Sequence, residues 1–183
     1  MGIFKKDKDK KADDKKAQEA LIKERQSALL EHLPKLIRRR YMMAARVGGA
    51  QLKEGESYTQ PMAGELNGIK TFIIPTDNRI LIAGLSGIRS TVRELRYEDV
   101  SEVGADGGSF ILRHGSHTIE LKRCVTNTMK EVTEEIRSRS RETRRSSNVG
   151  IGISEVERLA ELHSAGVLTD EEFAAAKAKA LGL

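Results

Sequence analysis

The alternation of apolar and polar residues between positions 55 and 123 constrains the fold most. Apolar side chains recur there at every second position, as in strands with one buried face. Turn-forming pairs such as Asp77-Asn78 and Gly115-Ser116 separate these segments. The pattern predicts seven strands, at residues 57–62, 69–74, 80–83, 91–96, 100–103, 109–113 and 117–122. Seven closely spaced short strands favour an antiparallel barrel or sandwich.

A helical pattern precedes the strands. Residues 1–16 are rich in Lys and Asp and poor in apolar side chains, which predicts a disordered charged tail. Residues 17–48 predict an amphipathic helical segment that is interrupted at Pro34 and ends at Gly48 and Gly49. Its apolar stripe comprises Leu29, Leu30, Leu33, Leu36, Ile37 and Tyr41. Packing of this stripe on the strands is the favoured interpretation, and pairing with a second copy stays open.

The predicted fold is α+β: a small antiparallel seven-stranded barrel and its covering helix at residues 55–145, with the long helical segment before it. Met129, Val132 and Ile136 would cover the barrel, on a helix that begins at a capping box of Thr128 and Glu131. Residues 146–153 predict a flexible linker. Strand alternation places eight side chains in one core, namely Phe72, Ile74, Ile80, Ile82, Phe110, Leu112, Ile119 and Leu121.

Residues 154–183 predict a separate two-helix hairpin. Ser154 with Glu157 and Thr169 with Glu172 form two capping boxes, and Gly166 is a suitable residue to end the first helix. About 30 residues fall below the roughly 40 at which small domains usually fold without metals, disulfides or association. The hairpin is therefore expected to associate, with itself or with a protein partner. The residues expected to make this contact are Leu159, Leu162, Leu168 and Phe173.

The hairpin sequence resembles the SHOCT module, a short C-terminal domain of bacterial and phage proteins. The resemblance covers its full length, and the pattern that carries it comprises Leu159, Leu162, Gly166, Leu168, Thr169, Glu172, Phe173 and Lys177. It implies a role in oligomerisation or partner contact without catalysis.

The middle of the chain resembles a bacterial pleckstrin-homology-like domain (PH-like) over about residues 55–139. The stretch GIKTFIIPTDNRILIAG is similar to that family's strand–turn–strand, in which Thr-Asp-x-Arg precedes an apolar strand. The resemblance implies seven strands followed by one helix. Phosphoinositide-binding members cluster Lys and Arg on the first hairpin loop, whereas here only Lys70 lies near residues 64–68. The resemblance therefore supports the fold and not lipid binding.

Positive charge is concentrated in the first segment, where residues 1–55 hold 15 Lys and Arg against 8 Asp and Glu. A second basic run lies at residues 137–145. Such runs can bind nucleic acid or anionic membranes, and this binding is the alternative function. A solvated helix end is the favoured interpretation of residues 137–145, and packing of the helix on the strands is favoured over lipid contact by Arg38, Arg39 and Arg40. The candidate anion-binding residues are Arg38, Arg39, Arg40, Arg137, Arg139, Arg141, Arg144 and Arg145.

No catalytic centre is apparent in the sequence. Cys124 is the only cysteine, so no disulfide forms within the chain and no cysteine cluster holds zinc. His114 and His117 flank the predicted turn at Gly115, and a cross-strand pair explains them better than a metal site. We expect no cofactor, metal or small-molecule substrate, with an enzyme as a second alternative. Without a signal-peptide pattern or a long apolar run, a cytoplasmic location is expected.

Overall fold

A computed structural model describes residues 3–87 and 89–180 of the 183-residue chain. Side chains are described except at residues 3–12, 126, 127 and 147–155. The chain divides into two compact units, one ending at Ser138 and the other beginning at Arg139. The fold is α+β as predicted, and each unit is described by itself.

Four helices are present in the described residues: α1 (Ile3–Glu31), α2 (Lys35–Gln51), α3 (Thr126–Ser164) and α4 (Asp170–Ala180). The interruption predicted at Pro34 is confirmed, because α1 ends three residues before it and α2 begins directly after it. The ring of Pro34 fixes its φ at −53°, and the residue stands immediately before α2, where its missing N–H costs no helical hydrogen bond.

The seven strands form two antiparallel sheets, so the closed barrel predicted from the sequence is wrong. The first sheet has four strands in the order β1-β2-β3-β4, and the second has three in the order β5-β6-β7. The strands are β1 (Met62–Leu66), β2 (Ile69–Pro75), β3 (Ile80–Ser86), β4 (Arg89–Leu95), β5 (Val100–Asp106), β6 (Ser109–His114) and β7 (His117–Leu121).

The predicted first strand, residues 57–62, is displaced toward the C-terminus in the structure. The β1–β2 hairpin turns at Asn67 and Gly68, whose φ angles of 52° and 79° suit a two-residue hairpin turn. Asn-Gly between apolar runs is the strongest short-range hairpin signal, and the sequence-based assignment missed it. The turn predicted at Gly115-Ser116 is confirmed, since His114 and His117 are paired across it.

The two sheets meet at one corner. Glu65 of β1 donates its N–H to the carbonyl of Lys122 at 2.7 Å and accepts the N–H of Lys122 at 2.9 Å. Next to this bridge, a Cβ on Gly64 would lie 2.8 Å from Leu121 Cδ2. Glycine at this position therefore lets β1 approach the end of β7 closely.

The first sheet is buried on both faces, which corrects the predicted core. Ile73, Ile80 and Ile82 face the second sheet and α3, in one cluster with Phe110, Leu112, Ile119 and Leu121. Phe72 and Ile74 lie on the opposite face, against α1 and α2, and not in the predicted core. Val132 and Ile136 are buried in the first cluster, with Met129 against it, as predicted for the covering helix. The second cluster comprises Leu29, Leu33, Tyr41, Ala44, Ala45, Leu52, Ala63, Phe72, Ile74 and Leu81.

The helical stripe therefore packs on the strands, as favoured from the sequence, although Leu36 is 94% exposed. Gly48 and Gly49 lie inside α2 and do not end it. A Cβ on Gly48 would lie 2.7 Å from Ile74 Cδ1, and one on Gly49 would lie 3.1 Å from Arg25 Cβ of α1. These glycines permit close packing of α2 on β2 and on α1.

The Thr-Asp-x-Arg turn between β2 and β3 organises a buried polar cluster. Thr76 Oγ1 donates to the carbonyl of Arg79 at 2.8 Å, and Tyr97 Oη donates to the carbonyl of Thr76 at 2.6 Å. The Arg79 side chain binds Glu56, the carbonyl of Gln51 and, at 2.5 Å, Glu94. The motif therefore joins the end of α2 to the first sheet.

Two further predictions on backbone structure need correction. Residues 3–16 are helical within α1, since Lys and Ala are strong helix formers even where a segment is too polar to be buried. Residues 146–153, predicted as a linker, are part of α3, and no new helix begins at Ser154. Each of the two glycines in this segment, Gly150 and Gly152, costs a helix only about 1 kcal/mol, and α3 continues through both.

Candidate interaction surfaces

The turn of the C-terminal hairpin is closed by backbone hydrogen bonds around Gly166. With φ at +72°, Gly166 donates to the carbonyl of His163 at 3.0 Å, and Val167 donates to the carbonyl of Leu162 at 3.0 Å. This pair of bonds is the Schellman motif, which satisfies carbonyls at the end of a helix and needs a left-handed residue. The helix end predicted at Gly166 is confirmed.

The second helix of the hairpin begins with the predicted capping box. Thr169 N–H donates to Glu172 Oε2 at 3.0 Å, and Glu172 N–H donates to Thr169 Oγ1 at 3.3 Å. Glu172 Oε2 also accepts from Thr169 Oγ1 at 2.9 Å, and the bonds from the Thr169 N–H and hydroxyl lower the pKa of the Glu172 carboxyl. Five residues, 165–169, separate the end of α3 from the start of α4, so the hairpin turn is short.

The apolar side chains of the hairpin are poorly covered. Leu159, Leu168 and Phe173 are half-buried, whereas Leu162 is 36% exposed. Val167, which the sequence-based assignment missed, is 66% exposed. None of the residues from 156 to 180 is fully buried. The hairpin thus leaves apolar surface in contact with water.

Polar side chains surround Phe173 within the hairpin. The ring of His163 stacks on that of Phe173 with centroids 4.8 Å apart, and Lys177 Nζ lies 5.8 Å from the Phe173 centroid. His163 Nε2 also lies 2.6 Å from Asp170 Oδ1, which ties the end of α3 to the start of α4. These contacts fix the ring at the hairpin surface, and no sequence pattern had singled out His163.

The arginines at 38–40 do not act as a unit. Arg38 donates to the carbonyls of Leu33 and Glu31 at 2.9 and 3.1 Å, and so closes the turn between α1 and α2. Arg39 and Arg40 are exposed, and no ion pair reaches them within the described part of the chain. Only these two are therefore available to an external anion.

The basic run of α3 divides in a similar way. Arg137 forms an ion pair with Glu134 and donates to the carbonyl of Val103 at 3.1 Å. Arg139 is half-buried and has a partner of its own. Arg141, Arg144 and Arg145 are exposed at helical spacings of three and four, so they share one face of α3.

The remaining reactive side chains have structural surroundings. His114 and His117 are cross-strand partners, and His114 Nε2 lies 3.5 Å from Asp99 Oδ2. Among the described residues, no three His, Cys, Asp or Glu side chains gather as a metal site would need. Cys124 is buried and donates to the carbonyl of Leu121 at 3.3 Å, and burial raises the pKa of its thiol to about 11.

Comparison with known families bears on the hairpin alone. Residues 154–181 match SHOCT, the short C-terminal domain. The resemblance of the hairpin to SHOCT is thereby confirmed, from the middle of α3 to the end of α4. No curated protein matches the chain. None of the helices in the described residues is long and apolar enough to cross a membrane.

Proposed function

We propose that the protein is a non-enzymatic adaptor or oligomerisation protein whose SHOCT hairpin docks on a second copy or on a protein partner. The observation that carries the proposal is the exposure of the hairpin, in which no described residue from 156 to 180 is fully buried. Leu162 and Val167 remain at least one-third exposed on a structure that has no deeper core of its own.

The energetics support association. Burying one Leu or Phe side chain stabilises by roughly 1.5–3 kcal/mol. The four apolar residues of the proposed contact are Leu159, Leu162, Leu168 and Phe173. Their burial against a second copy or a partner favours association, by less than this figure for the three that are already half-buried. The hairpin shows no charge pattern that selects a foreign partner, so self-association is the first form of the proposal.

The sheet-bearing unit would serve as the platform from which the hairpin acts. Seven antiparallel strands in two sheets, followed by a helix over one opening, support a PH-like assignment for this unit. The first hairpin of the platform does not favour phosphoinositides, because Lys70 and Arg123 both pair with Glu65. The platform is therefore proposed as a rigid support. A cytoplasmic location stays a prediction from the sequence.

Two differently tagged copies of the full chain, produced in the same cells, test this proposal. Retention of one copy by the other is expected, and it should disappear when residues 154–183 are removed from both. Retention that survives the deletion would place the contact elsewhere. A full chain that retains neither a second copy nor any protein partner would contradict the adaptor function.

A further inference from the structure

The outward face of α2 combines exposed apolar side chains with unpaired arginines. Leu36 is 94% exposed and Met43 is 48% exposed, and they lie seven residues apart on this face. Val47 and Ala50 continue the same line, one half-buried and one exposed. The opposite face of α2 is already buried, through Tyr41, Ala44, Ala45, Gly48 and Gly49. The outward stripe is thus a second apolar face, which packing within the unit does not use.

Basic side chains flank the stripe on both sides. Helical geometry puts Arg40 along one edge, and Arg39 and Arg46 along the other. All three are exposed, and no ion pair involves them in the part of the chain that is described. The 17 residues of α2 contain no Asp or Glu, so no acid within the helix offsets this charge.

The groove between α2 and the neighbouring helix α1 carries further basic side chains. Gly49 of α2 packs against Arg25 and Gln26 of α1, which places the Arg46 edge of the stripe beside α1. A groove between the two helices is lined by Lys16, Lys23 and Arg46. Glu19 is the one acidic side chain in that groove. Positive charge therefore continues into this groove, on the Arg46 side of the apolar stripe.

We infer that this face of α2 binds an anionic lipid surface. A row of apolar side chains that inserts at the headgroup boundary, between cations that meet the anionic headgroups, is the arrangement by which helices lie in a membrane interface. For this contact α2 does not have to cross the bilayer; it has to lie parallel to the membrane surface with its outward face toward the lipid. The inference goes beyond the proposed function, since it uses α2 and not the hairpin.

The apolar stripe decides between a membrane and a nucleic acid. Phosphate contacts by Arg39, Arg40 and Arg46 would suit either partner. Leu36 and Met43 gain nothing from a phosphate backbone, whereas in a lipid interface their burial removes apolar surface from water. An exposed leucine by itself is ordinary on a protein surface, but two large apolar side chains in register between three unpaired arginines favour the lipid surface.

The experiment measures co-sedimentation of the full chain with phosphatidylcholine vesicles, with and without phosphatidylserine. Binding only to the vesicles that contain phosphatidylserine is expected. Arg39→Gln with Arg40→Gln should weaken it about 25-fold, since about 1 kcal/mol per basic residue corresponds to about fivefold each. Leu36→Ser with Met43→Ser should weaken it by about tenfold or more. The four positions are exposed, so the variants should keep the wild-type unfolding temperature.

Matched controls lie in α3 and in the hairpin. Arg141→Gln, Arg144→Gln and Arg145→Gln together remove more charge than the α2 variant, and Val167→Ser removes an apolar side chain whose 66% exposure lies between those of Leu36 and Met43. Both should bind vesicles within about twofold of wild type, because neither changes the apolar stripe of α2 or the arginines beside it. Equal weakening by the α3 variant would show non-specific attraction and overturn the inference.

Insertion itself has a direct readout, because the chain contains no tryptophan. A Leu36→Trp variant carries a single indole on the stripe, and its emission should shift to shorter wavelength with phosphatidylserine vesicles. Val167→Trp should show no such shift. Three results would contradict the inference: an unshifted Leu36→Trp emission, tighter binding to duplex DNA that ignores Leu36→Ser, or loss of self-association instead of vesicle binding in the α2 variants.

Discussion

The guanidinium of Arg79 forms two parallel hydrogen bonds with the carboxylate of Glu56, Nε to Oε1 at 2.8 Å and Nη2 to Oε2 at 2.7 Å. The Glu56 side chain is only 3% exposed and that of Arg79 8%. Bidentate pairs of this kind combine charge with fixed geometry. Arg79 also reaches Gln51 at the end of α2, so the pair couples the helical layer to the turn between β2 and β3.

The Arg79–Glu56 pair predicts how the free energy of unfolding depends on pH. The hydrogen bond from Arg79 lowers the pKa of Glu56 from 4.5 to about 2. A carboxyl group whose pKa is lowered by folding stabilises the fold above its unfolded pKa and loses that contribution as pH falls. Glu56→Gln should therefore cost about 3 kcal/mol near neutral pH, and the difference from wild type should vanish between pH 4.5 and 2.

The measurement is urea unfolding of wild type and Glu56→Gln across that pH range. Glu98→Gln is the matched control, because Glu98 pairs with Arg96 at 3.1 Å on the surface, where ion pairs contribute about 0–1 kcal/mol. A difference between wild type and Glu56→Gln that stays constant down to pH 2 would show that the pair does not carry this stability.

The glycine inside α2 gives a second prediction. Gly48→Ala should destabilise by about 1–3 kcal/mol, since its new Cβ would lie 2.7 Å from Ile74 Cδ1 in a packed layer. Gly104→Ala is the control, because nothing lies within 4 Å of a Cβ there. Thermal unfolding of both variants measures the difference in stability between them. A Gly48→Ala protein as stable as the control would mean that α2 does not pack this closely on β2.

The core provides a third prediction. Ile82→Ala and Phe110→Ala both remove side chains with no exposed surface from the cluster between the sheets, and each should cost about 2–5 kcal/mol. Ile111→Ala, on the exposed side of the same strand, should cost far less, since that side chain is 37% exposed. Chemical denaturation measures all three. Variants of Ile82 and Phe110 that unfold like wild type would contradict the assignment of this core.

The sequence correctly predicted the features that neighbouring residues determine, such as helix ends and turns. The predictions failed for features that depend on tertiary contacts, such as the face of a strand that is buried. The Thr169 capping box, the Gly166 helix end and the Gly115 turn depend on neighbouring residues, and the structure has all three. The sequence-based prediction of which face of β2 carries Phe72 was wrong. Residues 71–75 are continuously buried, and a period of two cannot assign faces in a strand covered on both sides.

The same distinction applies to the helices. Gly48 and Gly49 look like a helix end, and only the closeness of Ile74 and Arg25 explains them within α2. In the candidate sites, the charge pattern placed Arg38 with Arg39 and Arg40, whereas the first closes the turn between α1 and α2. Exposure of Leu36 could not be inferred from its helical spacing, because the spacing alone placed it in the buried stripe.

The arginines of α3 give a fourth prediction. If Arg141, Arg144 and Arg145 form only a solvated helix face, replacing all three with Gln should leave the unfolding temperature and self-association nearly unchanged. Exposed charges of this kind usually contribute within about 0.5 kcal/mol. Sedimentation velocity and thermal unfolding of the triple variant measure both properties. Self-association that falls in the variant, and in wild type with added salt, would favour an electrostatic contact.

The central claim is that the SHOCT hairpin associates through its exposed apolar residues, and light scattering across a concentration series tests it most directly. Wild type should increase in mass in the micromolar range, whereas Leu162→Asp with Phe173→Asp should remain a monomer with its sheets folded. Ala174→Asp with Ala175→Asp adds equal charge at exposed positions of α4 and should behave as wild type. A wild type that stays monomeric at tens of micromolar, and retains no protein partner, would contradict the account.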